Sequence, residues 1–371
     1  MGVTIADVAR AAGVSKGAVS YALNNRPGVS EATRSRILHH AHELGFSPNV
    51  QARSLSSSRA FAVGLVIARD PGLLGSDPFF PAFIAGLETV LADEDVTLVL
   101  TVATRPGAEE RAYRRLADGG RVDGFVLSDL RCTDNRIALL EETGLPVVTL
   151  NRPDGPSSFP AVLVDDTAGV RDAVEHLIAL GHRRIGHVAG PQDLIHGRSR
   201  LRAWRDTMTA HGLEADLVAV TDFGAGSGVA ATEELLGRGD PPTALVYAND
   251  VMAIAGMSAI AAGGRSVPGD VSVVGYDDAP IAGHLTPGLT TVATSPMRWG
   301  ELTARVLMRA IEHGPRLPDV TMAPASLVVR GSTAPPPGPT AHSRLTAPSS
   351  TAPSSSRSSS SSRSSSSTAR E

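Results

Sequence analysis

Residues 4–45, TIADVARAAGVSKGAVSYALNNRPGVSEATRSRILHHAHELG, hold three short helical patterns and no strand-like run. Thr4 and Asp7 stand at capping-box spacing, with Val3 and Val8 at the staple positions around them, so a helix is expected to start there. Ile5, Val8, Ala9 and Ala12 follow as its apolar stripe. Gly13 supplies a residue that tolerates positive φ, Val14 turns inward, and Ser15 caps a second helix after a short turn. In that helix Val19 and Leu23 lie one turn apart and face inward, leaving Lys16, Gly17, Ser20, Tyr21 and Asn24 outward. A third helix is expected to start at Ser30, to bury Ile37, Leu38, Ala41 and Leu44, and to stop at Gly45. Two helices joined by so short a turn make a helix-turn-helix, whose second helix meets base edges with its first turn. Lys16, the only lysine of the chain, sits in that turn. Periodicity alone fits equally a small helical domain in which Lys16 and Tyr21 are merely solvated.

Outward from this stretch, charge is unevenly spread. The net charge of −4 over 371 residues conceals a head, residues 1–60, with seven Lys/Arg against three acids, and an end, residues 332–371, with four Arg against one Glu. The middle therefore carries −11. A basic head on an acidic body suits a protein that holds phosphate at one end only. The single cysteine, Cys132, excludes an internal disulfide framework and offers no metal set. No apolar run approaches the ~20 residues of a membrane span, and the first residues lack the pattern of a secretory signal. The expected location is the cytoplasm.

Residues 61–331 alternate apolar runs with amphipathic stretches. Strands are predicted at Ala62–Ile67, Thr97–Val102, Gly124–Leu127, Pro146–Leu150, Ala161–Val164, Ile185–Val188, Ala244–Tyr247 and Val271–Tyr276. Helices fit between them, among them Pro78–Ala92, Ser199–His211 and Pro296–Glu312. Strands without polar alternation, each followed by a helix, imply doubly wound parallel sheets, and so many units imply two lobes. Ligands then bind at the carboxyl ends of the strands, between the lobes. From about Thr333 the chain is rich in Pro, Ser and Arg and has too little apolar surface to offset ordering, so 333–371 is expected to be disordered.

The run from Thr4 to Leu55, TIADVARAAGVSKGAVSYALNNRPGVSEATRSRILHHAHELGFSPNVQARSL, closely resembles the DNA-binding head and hinge of the LacI/GalR family of bacterial transcription regulators. The likeness continues through DPFF at Asp77, LGHRRIGHVAGP at Leu180, AND at Ala248, VPGDVSVVGYDD at Val267, PGLTTV at Pro287 and LVVRGST at Leu327, in the family's order. It implies a small all-α helix-turn-helix head at 1–47, a hinge helix and linker at 48–60, and a two-lobed, periplasmic-binding-protein-like α/β body at 61–332. Lobe 1 would take about 61–163 and 293–322, and lobe 2 about 164–292 and 323–332.

The same resemblance implies that Lys16, Gly17 and Tyr21 read bases, that Ser15, Ser20 and Asn24 hold the phosphate backbone, and that Thr4 and Ser30 at helix starts do likewise. Gly17 departs from members that carry a polar side chain there and can contribute no side-chain hydrogen bond. In the hinge, Asn49, Ala52, Arg53 and Leu55 are expected to meet DNA, with Leu55 as a minor-groove wedge. Two wedges at one step require a homodimer on a palindromic operator. Effector contacts map onto Asp77, Phe79, Arg200, Asn249 and Asp277, a mixed donor and acceptor set suited to the hydroxyls of a sugar.

Structural alternatives stand beside these assignments. A helix cap is the alternative for Asp77 and a core position that for Phe79 or Phe80, and Arg198, Arg202 and Arg205 compete with Arg200. The function implied is a repressor controlled by a small effector, with a sugar ahead of a nucleobase-type co-repressor; a solute-binding protein or a sugar-acting enzyme fits less well. No metal or cofactor is expected: His182 and His187 lack a third ligand at suitable spacing, GAGSG at Gly224 lacks a nucleotide-loop signature, and Asp165 and Asp166 are better read as a lobe crossover than as paired catalytic acids.

Overall fold

A computed structural model of the chain describes residues 3–23, 27–46 and 59–338. The head consists of α1 (Ile5–Ala12), α2 (Lys16–Leu23) and α3 (Glu31–Glu43). The Asp7 carboxylate accepts from the backbone N–H of Thr4 at 3.0 Å and from its hydroxyl at 2.6 Å, fixing the start of α1. Gly13 at φ 64° ends α1, and the Ser15 hydroxyl accepts from the Ala18 N–H at 3.1 Å to start α2. Val8, Val19 and Ile37 meet at the centre among Ala9, Ala12, Ala22 and Ala41. Leu38 and Leu44, expected inside, stay exposed. Ile37 and Ala41, one turn apart, define the inner face of α3; Leu38 is rotated about 100° from Ile37, and Leu44 already lies past the end of the helix.

The body builds two six-stranded sheets. One takes β1 (Ala62–Ile67), β2 (Thr97–Val102), β3 (Gly124–Leu127), β4 (Val147–Leu150), β5 (Ala161–Leu163) and β11 (Val320–Thr321). The other takes β6 (Ile185–Ala189), β7 (Val218–Val220), β8 (Ala244–Tyr247), β9 (Ser272–Asp277), β10 (Thr290–Ala293) and β12 (Ser326–Val328). Their spatial orders are β11-β5-β4-β3-β1-β2 and β12-β10-β9-β8-β6-β7. The strand pairs are parallel apart from β10 with β12. β1, β3 and β4 are buried along their length, which is why they read as unbroken apolar runs. The helices are α4 (Pro71–Ser76), α5 (Phe79–Asp93), α6 (Ala108–Asp118), α7 (Arg136–Thr143), α8 (Asp166–Ala179), α9 (Ile195–Ala210), α10 (Ala225–Leu236), α11 (Asp250–Ala262) and α12 (Pro296–His313). α9 starts four residues before the expected Ser199, whose hydroxyl instead bonds the His196 carbonyl within the helix. β7, β10, β11, β12 and α4 were not predicted; β7, β11 and β12 are only two or three residues long.

The chain passes between the sheets three times, at residues 164–165, 294–295 and 322–325. In lobe 1, α5 and α12 approach backbone to backbone: a Cβ on Gly86 would lie 1.9 Å from the Met297 carbonyl oxygen, and one on Gly300 2.2 Å from that of Phe83. The two lobes also pair directly. Ile195 N–H donates to the Leu130 carbonyl at 2.9 Å and Cys132 N–H to that of Asp193 at 2.8 Å, an antiparallel bridge centred on Arg131 and Leu194. Arg198 and Asp154 form an ion pair across the same gap.

The expected boundary at Thr333 needs correction, because 333–338 are described and Thr333 and Ala334 are fixed to lobe 2. His176 Nε2 bonds the Thr333 hydroxyl at 3.0 Å, and the Ala334 carbonyl accepts from the buried His182 at 2.9 Å. Residues 339–371, the rest of the expected tail, lie outside the described residues. No described helix is long and apolar enough to cross a membrane.

Candidate functional site

Two regions carry chemistry. On the head, Lys16, Gly17 and Tyr21 are exposed on α2, while Ser20 is half-buried. An added Cβ at Gly17 would meet only the Ser15 hydroxyl, at 3.7 Å, so that surface is open. Thr4, Ser15 and Ser30 each stand at a helix start, the Ser30 hydroxyl accepting from the Thr33 N–H at 3.3 Å. Sequence reasoning passed over two neighbours. Gly28, at φ 111°, lies against the Tyr21 ring, where an added Cβ would sit 3.4 Å from Cδ2. Arg34 donates to the Ala22 carbonyl at 3.1 Å and so holds the carboxyl end of α2. Asn24, Asn49, Ala52, Arg53 and Leu55 lie outside the described residues.

The second region is the cleft between the lobes, and Asp77, Phe79, Arg200, Asn249 and Asp277 all line it. Phe79 rather than Phe80 faces the cleft: Phe80 is fully buried, whereas the Phe79 ring stands edge-on to Trp299 with centroids 5.9 Å apart. The close α5–α12 approach at Gly86 and Gly300 makes that aromatic wall possible. Among the competing arginines, Arg202 is exposed and pairs with Asp206, and Arg198 pairs with Asp154. Arg200 alone of these reaches the cleft.

Its guanidinium lies over the Tyr276 ring, 3.6 Å from the centroid, and donates to the Ala248 carbonyl at 2.7 Å. Its Nε is buried without a hydrogen-bond partner, 3.6 Å from Asp166 Oδ2. Asp277 ends β9 at φ 113°, and Asp278 follows at φ 54°, a backbone usually reserved for glycine and costing roughly 1–3 kcal/mol per residue. Burial pushes the Asp277 carboxyl well above the usual carboxylate range, nearby Asp77 and Asp250 adding to the rise and Arg200 opposing it.

Asn249 doubles as the cap of α11: its Oδ1 accepts from the Met252 N–H at 2.9 Å, and its Nδ2 donates to the Phe223 carbonyl at 3.0 Å. One N–H and one lone pair remain. Asp77 also has a structural duty, accepting from the Phe79 N–H at 2.9 Å and from Arg69 at 2.8 Å.

Several cleft residues escaped the sequence reading. Arg69 makes a two-pronged pair with Asp129 at 2.7 and 2.8 Å. Burial would raise the Asp129 carboxyl, but the Arg69 charge and hydrogen bonds override it and hold it at about 2. His196 stacks on Phe223 with centroids 5.4 Å apart; burial, aided by Arg200, holds it neutral with its pKa pushed down to about 3. Asp165 and Asp166 part company: Asp165 caps α8 through the Thr167 and Ala168 N–H groups, while Asp166 enters the cleft and accepts from the Ser199 hydroxyl. The signal available for Arg69, Ser128 and Asp129 was their place directly after parallel strands.

The histidines of LGHRRIGH are structural. His182 bonds Thr243, Ser272 and Ala334, and His187 bonds the Val246 carbonyl at 2.9 Å. Among the described residues no three His, Cys, Asp or Glu side chains are grouped to hold a metal ion. Gly224 begins α10 with its N–H taken by the Asp222 carboxylate at 2.8 Å.

Comparison with known proteins gives matches at both ends of the chain. Residues 4–49 match the family described as "Bacterial regulatory proteins, lacI family", and residues 174–333 match "Periplasmic binding protein-like domain". The chain is 37% identical to the HTH-type transcriptional regulator CelR of Thermobifida fusca, over 89% of this chain and 98% of that protein. Among solved structures it resembles the transcriptional regulator CelR-cellobiose complex, at a TM-score of 0.69 and 37% identity, covering 89% of this chain and 99% of the other. It also resembles the Lac repressor dimer bound to operator and the anti-inducer ONPF, at a TM-score of 0.77 and 28% identity, covering 90% and 100%.

Proposed function

Because this chain belongs to the lacI family of bacterial transcription regulators, we propose that it is a cytoplasmic repressor: a homodimer whose heads grip a palindromic operator, with the grip set by a small sugar held between the lobes. The observation that carries this reading is the cleft. Hydrogen-bonding groups of both lobes, Asp77 from one and Arg200, Asn249 and Asp277 from the other, converge there beside an aromatic wall. Sugars offer hydroxyls for such groups and C–H faces for such a wall. That a related regulator was solved as a cellobiose complex, and another as an operator-bound dimer, supports both halves of the reading.

The division of labour follows the expected head 1–47 and hinge 48–60, with the body running from 61 through at least Ala334. On the head, Lys16 and Tyr21 read base edges, Gly17 permits close approach without adding a contact, and Thr4, Ser15, Ser20, Asn24 and Ser30 hold phosphates. Asn49, Ala52, Arg53 and Leu55 act in the minor groove. A ligand bridging both lobes favours one lobe arrangement over another by its difference in affinity for the two, and that difference is what reaches the operator.

The test is fluorescence anisotropy with a labelled operator obtained by in vitro selection, with cellobiose and maltose as trial effectors. One of them should change operator affinity at least tenfold, and Asp277→Ala should bind the same operator with no response to that sugar. Operator binding that survives deletion of residues 1–60, or an Asp277→Ala chain that responds like wild type, would overturn the assignment.

A further inference from the structure

We propose that the cleft selects uncharged sugars and excludes phosphorylated or acidic ones; this rests on the reading that the cleft takes a sugar. Four carboxyl side chains line it, Asp77, Asp129, Asp166 and Asp277, against two guanidiniums, Arg69 and Arg200. Arg69 is committed to Asp129 and Asp77 through three hydrogen bonds of 2.7–2.8 Å. Arg200 spends one terminal nitrogen on the Ala248 carbonyl and its face on Tyr276, and its Nε, without a hydrogen-bond partner, is flanked by Asp166. A carboxyl group that close opposes an anion at this guanidinium. His196 adds no charge, being held neutral by burial. With Asp277 protonated, the three other carboxyl groups still outnumber the two guanidiniums.

Helix amino-termini are the other means by which a fold holds an anion, and four of those around this cleft are occupied by the chain's own side chains, while α9 and α12 start without a side-chain cap. Asp77 takes the Phe79 N–H of α5, Asp165 the Thr167 and Ala168 N–H groups of α8, Asp222 the Gly224 N–H ahead of α10, and Asn249 the Met252 N–H of α11. At the adjoining mouth, Arg131 and Arg136 are locked onto Glu109 and Asp134, while Asp70, Asp193 and Asp222 face solvent. An anion approaching or entering the cleft therefore meets carboxyl groups at the mouth, at three of the helix starts and along the wall. A neutral ring meets aromatic faces and spare hydrogen-bonding capacity.

The experiment is isothermal titration calorimetry of the full chain with cellobiose, maltose and glucose, each paired with its 6′- or 6-phosphate, and with glucuronate. A neutral sugar should bind and its charged counterpart should bind at least tenfold more weakly. Asp166→Asn, checked for an unchanged melting profile, should narrow that ratio at least threefold. If the charged counterpart binds as tightly as the neutral sugar, the charge selection is wrong while the sugar reading stands. If no member of either set binds, the sugar reading itself fails and takes this inference with it. The wild-type ratio decides the matter even if the variant does not fold.

Discussion

Arg69→Met tests the electrostatic frame of the cleft. Methionine keeps an apolar chain of similar reach over Phe80 and Phe223, whose ring centroids lie 5.0 and 5.5 Å from the guanidinium carbon, and deletes only the charge and its hydrogen bonds. Asp129 and Asp77 are then stranded with side chains 18% and 13% exposed. Stripping one partner from a buried ion pair costs about 3–5 kcal/mol. Asp129 gives an independent figure: its carboxyl is held at about 2 against an ordinary 3.8, and at 1.36 kcal/mol per unit that is about 2.5 kcal/mol. Asp77 adds to the loss, so a deficit of about 3–4 kcal/mol is expected at pH 7.5.

The pH dependence fixes the sign. In the native chain the Asp129 carboxyl is depressed, so its contribution is present above pH 4 and is lost as pH falls towards 2. Without Arg69, burial raises that carboxyl, which takes up a proton at higher pH and ceases to be an uncompensated charge. The deficit should therefore shrink between pH 7.5 and pH 5. Urea unfolding at both pH values, followed by tryptophan fluorescence, measures it. A deficit below about 1 kcal/mol at pH 7.5, or one that widens at pH 5, refutes the reasoning.

On the head, Lys16→Ala should lower affinity and alter base preference together; an even loss across all DNA sequences would reduce Lys16 to a phosphate contact. Leu55→Ala should weaken operator binding while leaving binding to random DNA nearly intact, and equal losses on both would remove the wedge. Gly300→Ala should push α12 from α5, costing about 1–3 kcal/mol and shifting Trp299 emission; a variant with wild-type stability and spectrum would contradict the packing. His187 lies fully buried with its pKa pushed down to about 4 against 6.5, so its contribution is complete above pH 6.5 and declines as pH falls towards 4. His187→Phe should flatten the stability loss between pH 7.5 and pH 5 by about 2 kcal/mol, and urea melts with an unchanged slope would argue against it.

The parts of the fold visible in the sequence are those where one local rule dominates. The alternation of apolar strands and amphipathic helices marks both sheets, and the Thr4–Asp7 capping box marks the head. Asn249 and Asp277 were legible because they stand in AND and VPGDVSVVGYDD, segments that carry the family resemblance at the ends of apolar strands. Arg69, Asp129 and Trp299 were not, since each is brought in by a different element and no local pattern says that an arginine two residues past β1 will meet an aspartate two residues past β3. Leu38 shows the opposite failure. Its apolar character suggested burial, but a core floored by alanines draws the helices close and leaves room for only one face of α3. Asp165 and Asp166 were read together as a lobe crossover; the structure gives the two residues separate tasks.

The backbone pairing of 130–132 with 193–195 bears on time rather than affinity. The lobes are joined by three covalent strands and, away from those strands, by two main-chain hydrogen bonds with the Arg198–Asp154 ion pair beside them. Parting the lobes at this place breaks both bonds together, which makes opening a step separate from the arrival of an occupant. Exchange of any occupant then becomes gated: its observed arrival rate should level off at high concentration, and its residence should outlast what its own contacts alone would give. A fluctuating supply outside would be averaged over that dwell before it altered the state of the chain.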